Sequence, residues 1–249
     1  MLKVFTYMFL DKSFWKKYLA LFGVIFVANS LINWSGVFSP AMNGGVGSPW
    51  YYILFFTGFF VMFVIYGYSI SLLRTTIENK DADDLPMLNL IKDFIRGAKV
   101  IVSGFIFVVA FVLFLLLLGL IGKLIAMLNG EVSYIILSAI IFLSLLIIAF
   151  SGMAMCCRYV VKPAYFNFLN FKSAFKLINC NVKKYFIAFL IAIVITAIPY
   201  LLSILFEMFL TKIGYPGLVI YCILVSLIWA YQIYVFAGLF ARAVETDKI

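Results

Sequence analysis

Three arginines, Arg74, Arg158 and Arg242, lie 84 residues apart, twice over. Each ends a long apolar run. Arginine suits phosphate and carboxylate because its planar guanidinium offers paired, aligned N–H donors. If the three runs close around an axis, their guanidinium groups would ring one mouth of it and hold a lipid headgroup or another anion. The competing reading is that these are helix-end arginines snorkelling to the interface. Other chemistry is thinly supplied. There are no histidines, which removes the commonest metal ligand and the side chain that titrates nearest neutrality. Asp81, Asp83 and Asp84 form an acid cluster without Ca²⁺-ligand spacing, and read as a solvated turn with Asp84 as a helix cap. Cys156, Cys157 and Cys180 lack a fourth ligand for a metal site and read as inert thiols. Cys222 completes a set with no CxxC pair, so neither a disulfide framework nor a metal is expected.

The composition states what must hold these residues. Of 249 residues, 66% are hydrophobic and 12% charged, and the mean hydropathy is +1.17. A soluble domain needs about 25% charged residues to coat its surface, so most of this surface faces lipid. Six stretches are long and apolar enough to cross a bilayer, which takes about 20 residues: Tyr18–Trp34, Trp50–Leu73, Val100–Gly122, Ser133–Cys157, Tyr185–Phe209 and Gly217–Ala241. Pro199 should kink the fifth. The first is read as an uncleaved helix rather than a secretory signal. The glycine-rich link Ser35–Pro49 reads as a slack connection.

Lys and Arg number 17 in the N-terminal segment, the second and fourth connections and the C-terminal tail, against only Lys123 and Lys212 in the others. The positive-inside rule therefore places both termini in the cytoplasm, with the whole chain in the cytoplasmic membrane as a multi-pass protein. In the second connection, Pro86–Ala98, the residues Met87, Ile91, Phe94, Ile95 and Ala98 share a helical face, opposite Asn89, Lys92, Asp93 and Arg96. In Phe171–Lys184, Phe171, Ala174, Phe175, Ile178 and Val182 oppose Lys172, Lys176, Asn179 and Lys183. Both read as amphipathic helices in the headgroup plane, with Lys92, Arg96, Lys99, Lys172, Lys176, Lys183 and Lys184 turned to anionic lipid. The N-terminal segment is a weaker third case. Trp15-Lys16-Lys17-Tyr18 and Val182-Lys183-Lys184-Tyr185 open the first and fifth spans alike. The expected fold is thus all-α: one domain over 1–249, built as three internal repeats of in-plane helix, span, span, at approximately 1–84, 85–168 and 169–249.

The second connection also resembles a known pattern. Gly67-Tyr68, Leu73-Arg74, Leu85-Pro86 and Gly97-Ala98-Lys99 are similar to the signature of the prokaryotic membrane family called domain of unknown function 4013. The opening Phe9-Leu10-Asp11…Trp15 resembles its start, so the likeness is expected to cover nearly the whole chain. Where that family tends to carry a tryptophan and acids, this sequence has Met87, Leu88 and Asn89. The resemblance implies a multi-span membrane protein with no assigned activity.

No span carries an ionisable residue in its middle third, which disfavours proton-coupled transport. Thr57, Ser103, Ser144, Thr196, Ser226 and Gln232 are scattered, and read as groups that tie helices together or bond back to their own helix. The acid–base groups an enzyme needs are missing from the membrane interior, so no enzymatic activity and no cofactor are expected. A non-catalytic scaffold or accessory subunit fits best, binding anionic lipid or a cytosolic or membrane protein partner and no nucleic acid. The alternative is a transport component: a permease-like subunit served by a separate ATPase, or a lipid or small-solute transporter.

Overall fold

A computed structural model describes residues 7–38, 48–78, 84–126, 130–161, 170–180 and 182–243. The described residues form helices and short links, with no strand among them. Helix is the expected answer for runs of Leu, Ile and Phe in lipid, where every backbone polar group must be satisfied within the segment. We number the helices α1 (Phe14–Val37), α2 (Pro49–Glu78), α3 (Leu90–Ala126), α4 (Gly130–Val161), α5 (Phe171–Cys180), α6 (Val182–Leu210) and α7 (Tyr215–Ala243). Among the described residues α1, α2, α6 and α7 are long and apolar enough to cross a membrane. The 37 residues of α3 and the 32 of α4 cover the other two apolar stretches.

The links depart from expectation. Pro86–Ala98 is not a separate in-plane helix. Helix starts at Leu90 and runs unbroken to Ala126, about 55 Å at 1.5 Å per residue. Asp84 is not its cap. Asn89 is: its Oδ1 accepts from Lys92 N (3.1 Å), while its own N–H donates to Asp93 Oδ2 (2.8 Å), a reciprocal arrangement that satisfies two helix-start donors. Of the polar set Asn89, Lys92 and Arg96 are exposed. Met87, Ile91 and Ile95 are exposed, whereas Asp93 is buried against α2. At the N-terminus Tyr7–Leu10 makes one 3-10 turn rather than an amphipathic helix. The described residues of the Phe171–Lys184 stretch belong to α5 and to the start of α6. Ala174 and Ile178 of α5 are buried and Lys172 and Lys176 exposed, while Lys183 and Lys184 open α6. Asp81, Asp83 and the centre of the Ser35–Pro49 link lie outside the described residues.

Each of α2, α4 and α7 contacts the other two. Helix α1 packs on α2 and α7, and α3 packs on α2 and α4. The start of α6 reaches α4 through Tyr185, whose hydroxyl accepts from Ala154 N (3.0 Å) and donates to Phe150 O (2.6 Å). That hydroxyl sits between a donor and an acceptor four residues apart on α4, a helical pair it bridges. Tyr18, its counterpart on α1, donates to Leu227 O of α7 at 2.9 Å. The core follows from these contacts. Tyr68 and Leu72 of α2, Met155 and Cys157 of α4, and Tyr234 to Ala241 of α7 cluster with Leu21, Ile25 and Tyr185. It lies toward the ends that carry the three arginines.

Two glycines set the tightest crossing. A Cβ on Gly67 would overlap the Asp93 carbonyl, and one on Gly97 the Phe63 carbonyl. The backbones of α2 and α3 therefore touch, as close-packed membrane helices do at small residues. Polar groups inside the helices are used as ties. Thr57, Ser103, Ser144 and Thr196 bond back to the carbonyl four residues earlier, and Asn29 Nδ2 donates to Ser226 Oγ across α1 and α7 at 3.0 Å. Pro199 lies within α6 and has no N–H for the Ile195 carbonyl. Gln232 Nε2 of α7 supplies the missing donor at 2.8 Å.

Candidate functional site

Lys17 sits in the apolar stripe Phe14, Leu21, Ile25, Ala28 of α1, and is buried with it. Such a position is tolerable only if the charge is paired and its hydrogen bonds are met. Asp11, held by the preceding turn, supplies Oδ2 at 2.7 Å, and Asp84 supplies Oδ1 at 2.8 Å. The Leu85 carbonyl accepts a third bond. Asp11 is itself saturated: Oδ1 accepts from the Ser13 N–H and hydroxyl, each at 2.7 Å, and Oδ2 from Leu85 N at 2.8 Å. Burial alone would raise the Asp11 pKa. The bonds from Lys17, Ser13 and Leu85 outweigh it and hold the carboxyl at about 2, below the usual 3.8. The start of α1 is thus locked to the α2–α3 link.

Beside this lock, the Tyr68 hydroxyl donates to Pro86 O (3.1 Å) and shares a 2.8 Å hydrogen bond with the Tyr234 hydroxyl. Phe14 meets the Tyr234 ring edge-on at 5.4 Å. The residues of the Gly-Tyr, Leu-Pro and Gly-Ala-Lys signature therefore have physical jobs. Gly67 and Gly97 permit the helix crossing, Tyr68 ties α2 to the link and α7, and Leu85 and Pro86 receive the ties.

The carboxylates described at this end are engaged internally. Glu78 pairs with Arg74 of its own helix, Nε to Oε1 2.8 Å. Asp93 is 1% exposed, accepts from Ser71 Oγ at 3.0 Å and faces Arg96 Nη1 at 3.5 Å. Arg96 also donates to Ser71 Oγ at 2.6 Å. By contrast Lys12, Lys16, Lys92, Lys99, Lys172, Lys176, Lys183 and Lys184 are exposed. Among the described residues, the outward charge of this end is accordingly positive.

Arg158 and Arg242 occupy the final turns of α4 and α7, and Arg74 lies just before the final turn of α2, on the mutually contacting trio. Arg74 is exposed, while Arg158 and Arg242 are half-buried. Arg158 Nε is enclosed and has no hydrogen-bond partner among the described residues. Cys156, Cys157 and Cys222 are free thiols, and no metal-ligand cluster occurs among the described residues. The Lys17 lock was missed in the sequence, where Lys16 and Lys17 look alike. The signal is the helical phase, which puts a lysine in the 14-17-21-25-28 stripe.

A family profile described as "Protein of unknown function (DUF4013)" matches residues 51–208. The match runs from the start of α2 to near the end of α6 and contains the whole second connection. It is shorter than the nearly full coverage expected, and leaves out Asp11, Trp15 and α7. No curated protein and no solved structure matches the chain.

Proposed function

We propose, from the premise that the chain belongs to the DUF4013 family, that it is a non-catalytic membrane scaffold or accessory subunit working through its basic end. All six long helices span in this reading, as three two-helix units about an axis along the membrane normal. Both termini face the cytosol of a prokaryotic cell. Two observations support the arrangement: α2, α4 and α7 meet as an inner trio, and Tyr18 and Tyr185 make equivalent ties from the starts of α1 and α6.

One observation carries the functional reading. Asp11, Asp84, Asp93 and Glu78 are held in intramolecular pairs, while eight lysines of the same end are exposed. Such a face attracts anionic lipid at about 1 kcal/mol per basic residue near a charged surface, or an acidic protein partner. Arg74, Arg158 and Arg242 on the trio would contribute an anion site at its centre. Purification in native-lipid particles, followed by mass spectrometry of all bound protein and lipid, tests this. A stoichiometric partner or an enriched anionic lipid, lost when the exposed lysines are changed to Gln, is expected. Neither being found, or both surviving the substitutions, would overturn the reading. Recovery of an ATPase whose turnover this chain alters would establish the transport alternative.

A further inference from the structure

An apolar groove of about 650 Å³ opens on the lipid-facing side of the bundle where α1, α2 and the first turns of α3 meet. Leu19, Gly23 and Val27 of α1 form one wall, Val64 of α2 the floor, and Ile91 and Ile95 of α3 the other wall. The wall has room at Gly23, where a Cβ would meet nothing within 4 Å. The depth of the groove follows from the α2–α3 crossing: Gly97 touches Phe63, and Ser71 bonds Asp93. The groove therefore lies in the leaflet next to the basic end. On α1, Lys16 precedes Ala20, Gly23 and Val27 at helical spacing, Lys12 lies in the turn just before the helix, and both lysines are exposed. Trp15, 64% exposed, stands one turn before Leu19, where an amphipathic ring marks the headgroup level.

We propose that this groove seats an acyl chain of an anionic phospholipid from that leaflet, with its phosphate at Lys16 and Lys12. The reasoning is charge complementarity joined to shape. The apolar wall Leu19–Val27 follows Trp15 and Lys16 along α1 within one to three turns, so an exposed tryptophan and lysine stand at its N-terminal end. A cleft lined by apolar side chains fits an alkyl chain, and the lysines face where its headgroup emerges. The site deepens the anionic-lipid reading above and rests on it, but it is separate from Arg74, Arg158 and Arg242.

The test is native mass spectrometry of the full chain from nanodiscs of phosphatidylglycerol and phosphatidylethanolamine in equal parts. The parent protein should retain phosphatidylglycerol after activation strips the loose lipid. Gly23→Phe, which fills the groove from a position with open space, should lose that retained lipid. Lys12→Gln with Lys16→Gln, both at exposed sites, should keep a lipid but lose the headgroup preference. Arg74, Arg158 and Arg242 changed together to Gln should leave both features intact, so failure of the arginine site and failure of the groove read out differently. Retention unchanged by both the Gly23 and the lysine variants would overturn the proposal. So would a second copy or another membrane protein that Gly23→Phe displaces in place of the lipid.

Discussion

Replacing Lys17 with Met isolates the contact that joins the two halves of the basic end. The ammonium meets Asp11 at 2.7 Å and Asp84 at 2.8 Å, yet the partners differ in surroundings: the Asp11 side chain is 3% exposed and that of Asp84 93%. Breaking a buried pair costs about 3–5 kcal/mol because the partner charge is left uncompensated. An exposed partner contributes about 0–1 kcal/mol. Lys17→Met should therefore destabilise by about 3 kcal/mol or more, and Asp84→Asn by less than about 1. On the scale of soluble chains of this length, the first is a fall in unfolding temperature of roughly 10 °C. The assay is thermal unfolding in nanodiscs, followed by the fluorescence of Trp15, Trp34, Trp50 and Trp229. Acid supplies an independent check. The folded Asp11 pKa of about 2 lies below its ordinary 3.8, so near pH 3 the unfolded chain binds more protons. The stabilisation is complete above about pH 5 and is lost as pH falls from about 4 to 2. It amounts to about 2 kcal/mol, and Asp11→Asn should flatten that limb. An unfolding temperature for Lys17→Met within a degree of the parent, or an equal loss for Asp84→Asn, would refute the reasoning.

Other substitutions test the packing. Gly67→Ala or Gly97→Ala forces the α2 and α3 backbones apart and should abolish recovery of monodisperse protein, whereas Gly104→Ala, with open space at its Cβ, should be recovered normally. Gln232→Leu should lower stability by about 1–3 kcal/mol by leaving the Ile195 carbonyl without a donor. In a Pro199→Ala background, where residue 199 regains its N–H, the same change should be nearly neutral, and a thermal-unfolding double-mutant cycle reads the difference. Tyr68→Phe and Tyr234→Phe should each cost about 1 kcal/mol, with the pair costing less than the sum because they share the 2.8 Å hydrogen bond.

The long helices were legible because length and apolarity suffice to specify them in lipid. The fates of Thr57, Ser103, Ser144 and Thr196 were legible too, since a hydroxyl with no water bonds to its own helix. The start of α3 was not. Asp84-Leu85-Pro86 carries a good helix-start pattern, but Asp84 and Leu85 are captured by Lys17 and Asp11 from 67 to 74 residues away, and no local rule foresees that. Asp93 was placed on the polar face of an in-plane helix, but it is buried and bonded by Ser71 of α2. Gln232 was read as one of several scattered helix ties, without a partner named for it. Its partner is the carbonyl that Pro199 orphans, on a helix distant in sequence.

The proposed role rests on exposed lysines at the basic end, where Asp11, Asp84, Asp93 and Glu78 are paired within the chain. Electron spin resonance of spin-labelled phosphatidylglycerol and phosphatidylcholine around the reconstituted protein tests it most directly. The account predicts a preference for phosphatidylglycerol that weakens as salt shortens the screening length from about 10 Å at 0.1 M to about 3 Å at 1 M. It also predicts that the preference disappears when Lys12, Lys16, Lys92, Lys99, Lys172, Lys176, Lys183 and Lys184 are changed to Gln. Equal association of the two lipids with the parent protein, or a preference the Gln variant keeps, would contradict it.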